Sequence, residues 1–96
     1  MTVNYHHEAF LEQQDAAFYY ERQQAGLGDE FQDDIDEGLD RIEANPSGFK
    51  AVSGEYRKCI SNRFRYEIIY QIIDENTIFI QAIVDSRRSP NHWQKR

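Results

Sequence analysis

Cysteine, proline and long apolar runs are scarce in this chain, which has one Cys and two Pro among 96 residues. The lone Cys59 cannot form an internal disulfide, which fits a reducing compartment. No apolar run approaches the roughly 20 residues that span a bilayer. The first residues also lack the basic and apolar segments of a secretory signal. The sequence therefore predicts a cytoplasmic protein with no membrane partner.

Positive charge is scarce in the first half of the chain. Residues 1–45 hold two basic and twelve acidic side chains, whereas residues 46–96 hold nine basic and five acidic ones. The net charge of -6 argues against direct, sequence-specific nucleic-acid binding, because an acidic protein repels a polyanion. A local basic site on the second half stays open. The acidic half could meet a basic partner or serve solubility alone.

The length predicts one domain over residues 1–96, because a chain of this size buries roughly 60–65% of its unfolded surface and supports one modest core. Alternation predicts a first strand over residues 2–6. Helical spacing follows from about residue 8, and Gly26 is expected to end that helix. The apolar stripe expected to be buried on it consists of Phe10, Leu11, Ala17, Phe18 and Ala25.

A second amphipathic helix is predicted after the Gly-Leu-Gly segment. Asp29 and Gln32 have the spacing of a capping box, and Asn45-Pro46 ends the helix. Its apolar face is expected to carry Phe31, Ile35, Leu39 and Ile42.

Three strands are predicted after a loop at residues 46–54, over residues 56–60, 64–72 and 77–84. The last is expected to place Ile78, Ile80, Ala82 and Val84 on one face. Because the turns between these strands are short, neighbouring strands must be antiparallel. The predicted fold class is α+β, a helical hairpin packed on a small antiparallel sheet in the order β-α-α-β-β-β.

The histidines and acidic residues give no metal or cofactor prediction. His6 and His7 are adjacent on an extended segment and point to opposite faces, with no third ligand at suitable spacing. The acidic side chains of the second helix indicate a solvated face or a docking surface. Cys59 lacks a nearby histidine in sequence and is expected to be a buried strand residue.

Five arginines lie in or beside the predicted strands, where strand pairing could gather them into one patch. A guanidinium group can bind phosphate or carboxylate through two parallel hydrogen bonds. Alternatively, these side chains balance the acidic helices. Trp93 could offer an aromatic surface to a partner or pack on the core. The candidate residues for binding a target or another partner are Arg57, Arg63, Arg65, Arg87, Arg88 and Trp93.

Short motifs follow one another in a fixed order: Tyr19-Tyr20-Glu21, Gly26-Leu27-Gly28 with Phe31, Ile42 with Asn45-Pro46, Tyr56-Arg57, Arg63-Phe64, the Tyr-Glu-Ile-Ile-Tyr run at residues 66–70, and Arg87-Arg88-Ser89-Pro90 with Trp93. In this order and spacing they resemble the RelE/ParE superfamily. Its members are small toxins of bacterial type II toxin–antitoxin systems, often labelled plasmid stabilisation proteins. The resemblance covers residues 5–96 and implies the same helical hairpin on an antiparallel sheet.

The resemblance implies a cognate antitoxin and two possible activities. A RelE-like member cleaves mRNA on the ribosome, stabilising charge at the scissile phosphate without a metal. A ParE-like member poisons DNA gyrase by binding and stalls growth. The candidate catalytic residues for the first activity are Arg65, Tyr70, Arg87 and Arg88.

Two features favour the ParE-like branch. The Gly-Leu-Gly connector and the Arg-Arg-x-Pro-x-x-Trp tail resemble it. Glu67 stands where several ribonuclease members have an arginine, and Asp85 stands where many ParE-like relatives have a histidine. A carboxylate at Glu67 would repel a phosphate, and the departure at Asp85 weakens any proton-transfer role nearby. Both carboxylates are expected among the arginines, where a nuclease would not want them, so the basic patch is interpreted as a docking surface. An inactive homologue is the third possibility.

Overall fold

A computed structural model describes residues 1–88 and 91–96 of the chain; the Ser-Pro pair of the tail motif lies outside these residues. No helix in that described part is long and apolar enough to cross a membrane. The elements are β1 (Thr2–Tyr5), α1 (His7–Gln23), α2 (Leu27–Ala44), β2 (Lys50–Ser53), β3 (Tyr56–Ile60), β4 (Tyr66–Asp74) and β5 (Thr77–Asp85), with 3-10 turns at Pro46–Gly48, Ser86–Arg88 and His92–Lys95.

The strands form one five-stranded sheet in the order β1-β5-β4-β3-β2, and the helical hairpin covers one of its faces. The meander of β3, β4 and β5 is antiparallel as expected. The sheet is nevertheless mixed, because β1 runs parallel to β5. The two helices and the strands β2 to β4 lie between β1 and β5 in the chain. The predicted loop at residues 46–54 contains β2, an edge strand whose only partly buried residue is Val52.

Helix α1 presents a different face to the core from the one predicted. Its buried side chains are Ala9 and Ala16, whose small size lets the helix lie close to β5. Phe10 and Phe18 are 48% and 60% exposed, and Ala25 is exposed beyond the end of the helix. The expectation of a buried stripe through these three residues was therefore wrong.

The connector between the helices differs from the prediction in detail. Gly26 does take a left-handed conformation, with φ of 90°, but it precedes α2 rather than closing α1. Because α2 begins at Leu27, Asp29 already lies inside the helix and forms no capping box. The Glu21 carboxylate of α1 caps the start of α2 instead, because it accepts hydrogen bonds of 3.0 Å from the amides of Gly26 and Gly28.

The predicted apolar face of α2 is confirmed. Phe31, Ile35 and Ile42 are fully buried against the sheet, and Leu39 is half-buried beside them. The aromatic rings of Phe31 and Tyr66 meet edge-to-face at 4.9 Å, which fixes α2 against the start of β4.

A β-bulge at Gln81 interrupts the pairing of β4 with β5. Ile69 pairs with Ala82 and Tyr70 pairs with Ile80, which leaves Gln81 without an opposing residue. One extra residue in a strand reverses the direction of every side chain that follows it.

The predicted alternation along β5 is therefore wrong beyond the bulge. Ile83 joins Ile78 and Ile80 in the core beneath the helices. Ala82 and Val84 turn to the opposite face, where they form a second cluster.

The C-terminal turn covers this second cluster with Trp93, which is 3% exposed. The indole packs on Ile69 and meets the Tyr56 ring edge-to-face at 5.3 Å. The bulged Gln81 secures the turn, since its side-chain amide donates to the Trp93 carbonyl at 3.1 Å. Trp93 therefore packs on the core, which was the second of the two possibilities left by the sequence.

Replacing Gly28 with alanine tests the close approach of the two helices. A Cβ atom at this position would lie 2.7 Å from the backbone carbonyl oxygen of Ala17. We expect Gly28→Ala to lower the free energy of unfolding by about 1–3 kcal/mol, because the helices must move apart. Urea denaturation followed by circular dichroism measures this. The exposed Gln23→Ala control should change stability by less than about 0.5 kcal/mol, and equal stabilities of the two variants would contradict the packing.

Candidate functional site

Three of the five candidate arginines lie at one end of the β4–β5 pair. Arg65 immediately precedes β4, and Arg87 and Arg88 lie in the 3-10 turn after β5. The Ser86 amide donates to the Arg65 carbonyl at 3.1 Å, which joins the two segments. We call Arg65, Arg87 and Arg88 the cationic end.

Arg57 does not belong to this group. It stands opposite Tyr70 in the sheet, four residues along β4 from Tyr66 and therefore roughly 13 Å from the start of that strand. Its guanidinium donates to the carbonyls of Phe49 and Ser47 at 2.8 and 3.2 Å. Arg57 holds the segment before β2 in place, so the five arginines do not form one patch.

Arg63 is engaged with α2. Its guanidinium forms an ion pair with Glu30 and lies over the Phe64 ring, 5.0 Å from the centroid. The buried Asp34 carboxylate accepts hydrogen bonds from the amides of Arg63 and Phe64 at 3.1 and 2.8 Å, which fixes this turn. Arg63 therefore neutralises negative charge on helix α2, which was the alternative role considered for these arginines.

The three arginines of the cationic end differ in whether an acidic side chain neutralises their charge. The Arg87 guanidinium donates twice to the Asp85 carboxylate, at 2.8 Å each. These hydrogen bonds hold the pKa of Asp85 below its ordinary range. Arg65 and Arg88 are exposed and form no ion pair within residues 1–88 and 91–96. Arg65 has φ of 61°, an uncommon conformation for a residue with a side chain.

A groove of about 840 Å³ lies between α1 and the cationic end. We call it the target groove. Its floor contains Tyr20 and Tyr66, which belong to an aromatic cluster with Phe31 and Phe64. Burial and a hydrogen bond with Tyr20 raise the pKa of the Tyr66 hydroxyl above its ordinary value. Residues of both charges border the groove: Glu12, Asp15, Asp85, Arg87, Arg88 and His92.

Glu12 was not among the residues predicted from the sequence, but its carboxylate organises this region. Its carboxylate accepts hydrogen bonds from the Ile83 amide at 3.1 Å and from Arg96 Nη2 at 2.5 Å, and contacts His92 Nε2 at 2.8 Å. Burial alone would raise the pKa of Glu12, but the hydrogen bonds from Arg96, His92 and Ile83 outweigh it and lower the pKa. The sequence feature that could have identified Glu12 is its position, one turn from Ala9 and Ala16 and therefore on the buried face of α1.

Tyr70, a candidate catalytic residue, lies in the core. It is 0% exposed, and its hydroxyl donates to the Pro46 carbonyl. Burial raises the pKa of the hydroxyl to about 12. The structure thus places Tyr70 beside Arg57 and away from the cationic end, beyond the reach of a bound substrate.

Glu67 and Asp85, both expected among the arginines, separate in the structure. Asp85 lies at the cationic end, as its pair with Arg87 shows. Glu67 points to the other face of the sheet, 3.7 Å from Lys58 Nζ and close to Trp93. The expectation that Glu67 lies among the arginines was wrong, because side chains alternate along β4.

Cys59 and His6 have structural roles. The Cys59 thiol is buried and contacts the Gly38 carbonyl at 3.9 Å, and burial raises its pKa. The buried strand position expected for it is confirmed. His6 Nδ1 accepts a hydrogen bond from the Glu8 amide and caps α1.

The helical hairpin on this sheet, followed by a cationic turn, is the α+β arrangement of the RelE/ParE toxins. The profile of a family described as ParE toxin of type II toxin–antitoxin system, parDE, matches residues 3–90. The protein is therefore a toxin of a type II toxin–antitoxin system. It belongs to the ParE toxin family, which confirms the superfamily resemblance and implies a cognate antitoxin. No curated protein matches the chain significantly.

Acid titration tests the role of Glu12. Because its folded pKa lies below the ordinary value of 4.5, its stabilising effect is complete above about pH 4.5 and is lost as the pH falls through the folded pKa. Glu12→Gln should therefore lower the unfolding free energy at pH 7 by about 2 kcal/mol and flatten its dependence on acid pH.

Trp93 is the only tryptophan and lies in the turn that Glu12 secures, so its emission reports this change directly. The emission of Glu12→Gln should be red-shifted at pH 7. Asp15→Asn removes an exposed carboxylate from the same helix and groove and should behave like the wild type. Matching behaviour of the two variants would refute the assigned role of Glu12.

Proposed function

We propose that this toxin acts by binding its target rather than by cleaving RNA, and that the cationic end forms the contact surface. The ParE resemblance makes DNA gyrase the expected target. Binding stalls growth until the cognate antitoxin covers the toxin. Arg65 and Arg88 contribute exposed guanidinium groups, and Arg87 contributes a third that Asp85 orients.

The observation that carries this proposal is the separation of Tyr70 from the cationic end. Cleavage without a metal needs a group that transfers a proton close to the groups that bind the phosphate. Arginine binds an anion but stays protonated at neutral pH and cannot act as the base. Tyr70 is buried, and Tyr66 has a raised pKa, so neither tyrosine supplies a base beside Arg65 and Arg88. What remains exposed suits recognition of carboxylates or phosphates.

Expression in cells tests the proposal. The toxin produced alone should arrest growth and induce the SOS response, as expected when gyrase is poisoned. Arg65→Ala/Arg88→Ala should require about tenfold more inducer for the same arrest, because two charged contacts are lost.

The matched control is Arg22→Ala/Lys50→Ala, which removes two exposed positive charges outside the cationic end and the target groove. This variant should arrest growth like the wild type. Both double variants should keep the wild-type Trp93 emission, which shows that they fold. No arrest by well-expressed wild type, or equal loss in the two double variants, would refute the proposal.

One observation favours ribosome-dependent mRNA cleavage as the second candidate function. His92 lines the target groove with Arg87 and Arg88, and the Glu12 carboxylate holds its Nε2 at 2.8 Å. A carboxylate partner is a common way to orient a histidine base. If the toxin is an endonuclease, His92→Gln should abolish codon-linked mRNA cleavage, mapped by primer extension, while Trp93 emission stays unchanged. Arrest without any mRNA cleavage excludes this candidate.

A further inference from the structure

The backbone of the cationic end is strained at Arg65. Among the non-glycine residues that the structure describes, only Arg65 has a positive φ. This left-handed conformation brings a Cβ atom too close to the neighbouring carbonyl oxygen, whereas glycine adopts it freely. The guanidinium of Arg65 is exposed and forms no ion pair with any described residue. The strain therefore accompanies a charged side chain that a ligand can reach, as is common at functional sites.

Residues 61–65 connect β3 to β4, and we call them the β3–β4 loop. The loop is closed at its base by the buried Ser61, whose amide donates to the Tyr66 carbonyl at 2.8 Å. The Ser61 hydroxyl accepts a hydrogen bond from the Tyr66 amide at 2.9 Å. Together with the bond from the Ser86 amide to the Arg65 carbonyl, these contacts fix where the loop ends. The middle of the loop is held from helix α2.

A stripe of charged residues on α2 contacts the β3–β4 loop and the end of β3. Its members recur every three or four residues and therefore share one face of the helix. The Glu37 carboxylate accepts a hydrogen bond from the side-chain amide of Asn62 at 3.1 Å. The Arg41 guanidinium donates to the Ile60 carbonyl at 3.0 Å. The stripe consists of Glu30, Asp34, Glu37 and Arg41.

Asp34 is the buried member of this stripe, with 8% of its surface exposed. Its two carboxylate oxygens accept one backbone amide each: Oδ1 accepts that of Arg63, and Oδ2 accepts that of Phe64. Hydrogen bonds to a charged acceptor are stronger than those between neutral groups. Two successive amides that point at one carboxylate fix the direction of the backbone immediately before Arg65.

We propose that Asp34 is a positioning residue for the target contact, because it holds the β3–β4 loop in the conformation that presents the Arg65 guanidinium. Asp34 lies beneath the loop and acts through Arg65. A mobile loop would have to become ordered when the target binds, and this loss of entropy would weaken binding. The inference rests on the proposed function in one respect, namely that Arg65 contacts the target.

The contacts of Asp34 could also serve stability alone, but two observations favour positioning. A turn with only a structural role suits glycine or asparagine at its left-handed position, because these residues adopt that conformation with less strain. This turn has arginine there instead. In addition, Arg63 is paired with Glu30, whereas Arg65, two residues further on, is left available to a ligand.

Two substitutions of Arg65 test whether the strain serves the side chain. Arg65→Gly and Arg65→Ala both remove the guanidinium, but only glycine relieves the left-handed conformation. The glycine variant should therefore melt about 4–8 °C above the alanine variant, measured by circular dichroism. Both should raise the inducer concentration needed for growth arrest by about threefold, because one charged contact is lost. Equal melting temperatures, or unchanged arrest in both variants, would refute the inference.

Asp34→Asn tests the positioning role itself. Asparagine has the same shape, but its NH2 group faces one of the two backbone amides, so that hydrogen bond is lost. The ¹⁵N order parameter of the Arg65 amide should fall from about 0.85 to below about 0.6. The inducer requirement should rise about two- to threefold. An unchanged order parameter would refute the inference.

Two controls separate positioning from charge and from stability. Asp33→Asn removes the neighbouring, exposed carboxylate of the same helix. Gly28→Ala loosens the contact between the helices at a site outside the β3–β4 loop. Both should keep the wild-type order parameter at Arg65 and the wild-type arrest. If Gly28→Ala weakens arrest as much as Asp34→Asn does, the effect of Asp34 is one of stability and the inference fails.

A double-variant cycle is the decisive test. If Asp34 acts through Arg65, Asp34→Asn should add no further loss of arrest to Arg65→Ala, and the double variant should stay at about threefold. Independent roles would multiply to about six- to ninefold, which would refute this inference and leave the proposed function standing. Absence of arrest by the well-expressed wild type would instead refute the proposed function, and the target contact assigned to Arg65 with it.

Discussion

The carboxylate of Glu12 is the interaction on which the arrangement of the site depends. From α1 it reaches the Ile83 amide just beyond the bulge of β5, and it also holds His92 and Arg96 of the C-terminal turn. The Arg96 guanidinium in turn donates to the backbone carbonyl at the bulge at 2.8 Å. One half-buried charge thus connects the helix, the strand that changes face and the turn that carries Trp93. Such a connection is stabilising only while every partner is present, because a partly paired buried charge costs more than it contributes.

The chain separates two kinds of surface by charge. The cationic end lies where β4 begins and β5 ends, and Asp85 orients one of its three guanidinium groups. The carboxylates of Asp29, Asp33, Asp36, Asp40 and Glu43 follow one face of α2. The net charge of -6 reflects the acidic hairpin and conceals the basic site on the sheet.

Local patterns predicted the helical hairpin and the antiparallel meander because each element carries its own periodicity. The bulge at Gln81 could not be predicted: Ile80, Ala82 and Val84 alternate perfectly in sequence, and only the pairing with β4 shows the extra residue. The stripe on α1 was assigned to the wrong face because large aromatic residues outweighed Ala9 and Ala16, whose small side chains permit close packing. The arginine patch was only partly predicted, because strand pairing and side-chain alternation decide which side chains meet. They placed Arg57 beside Ser47 and Glu67 beside Lys58.

The most direct test of the account is to add the purified toxin to two reconstituted reactions: supercoiling by DNA gyrase, and translation of a defined mRNA by purified ribosomes. If the toxin acts by binding, supercoiling should fall as the toxin concentration rises and should stop falling at a fixed ratio of toxin to gyrase. The mRNA should stay intact at every codon. Cleavage of the mRNA on the ribosome, with supercoiling unaffected, would contradict the account and make the target groove an active site.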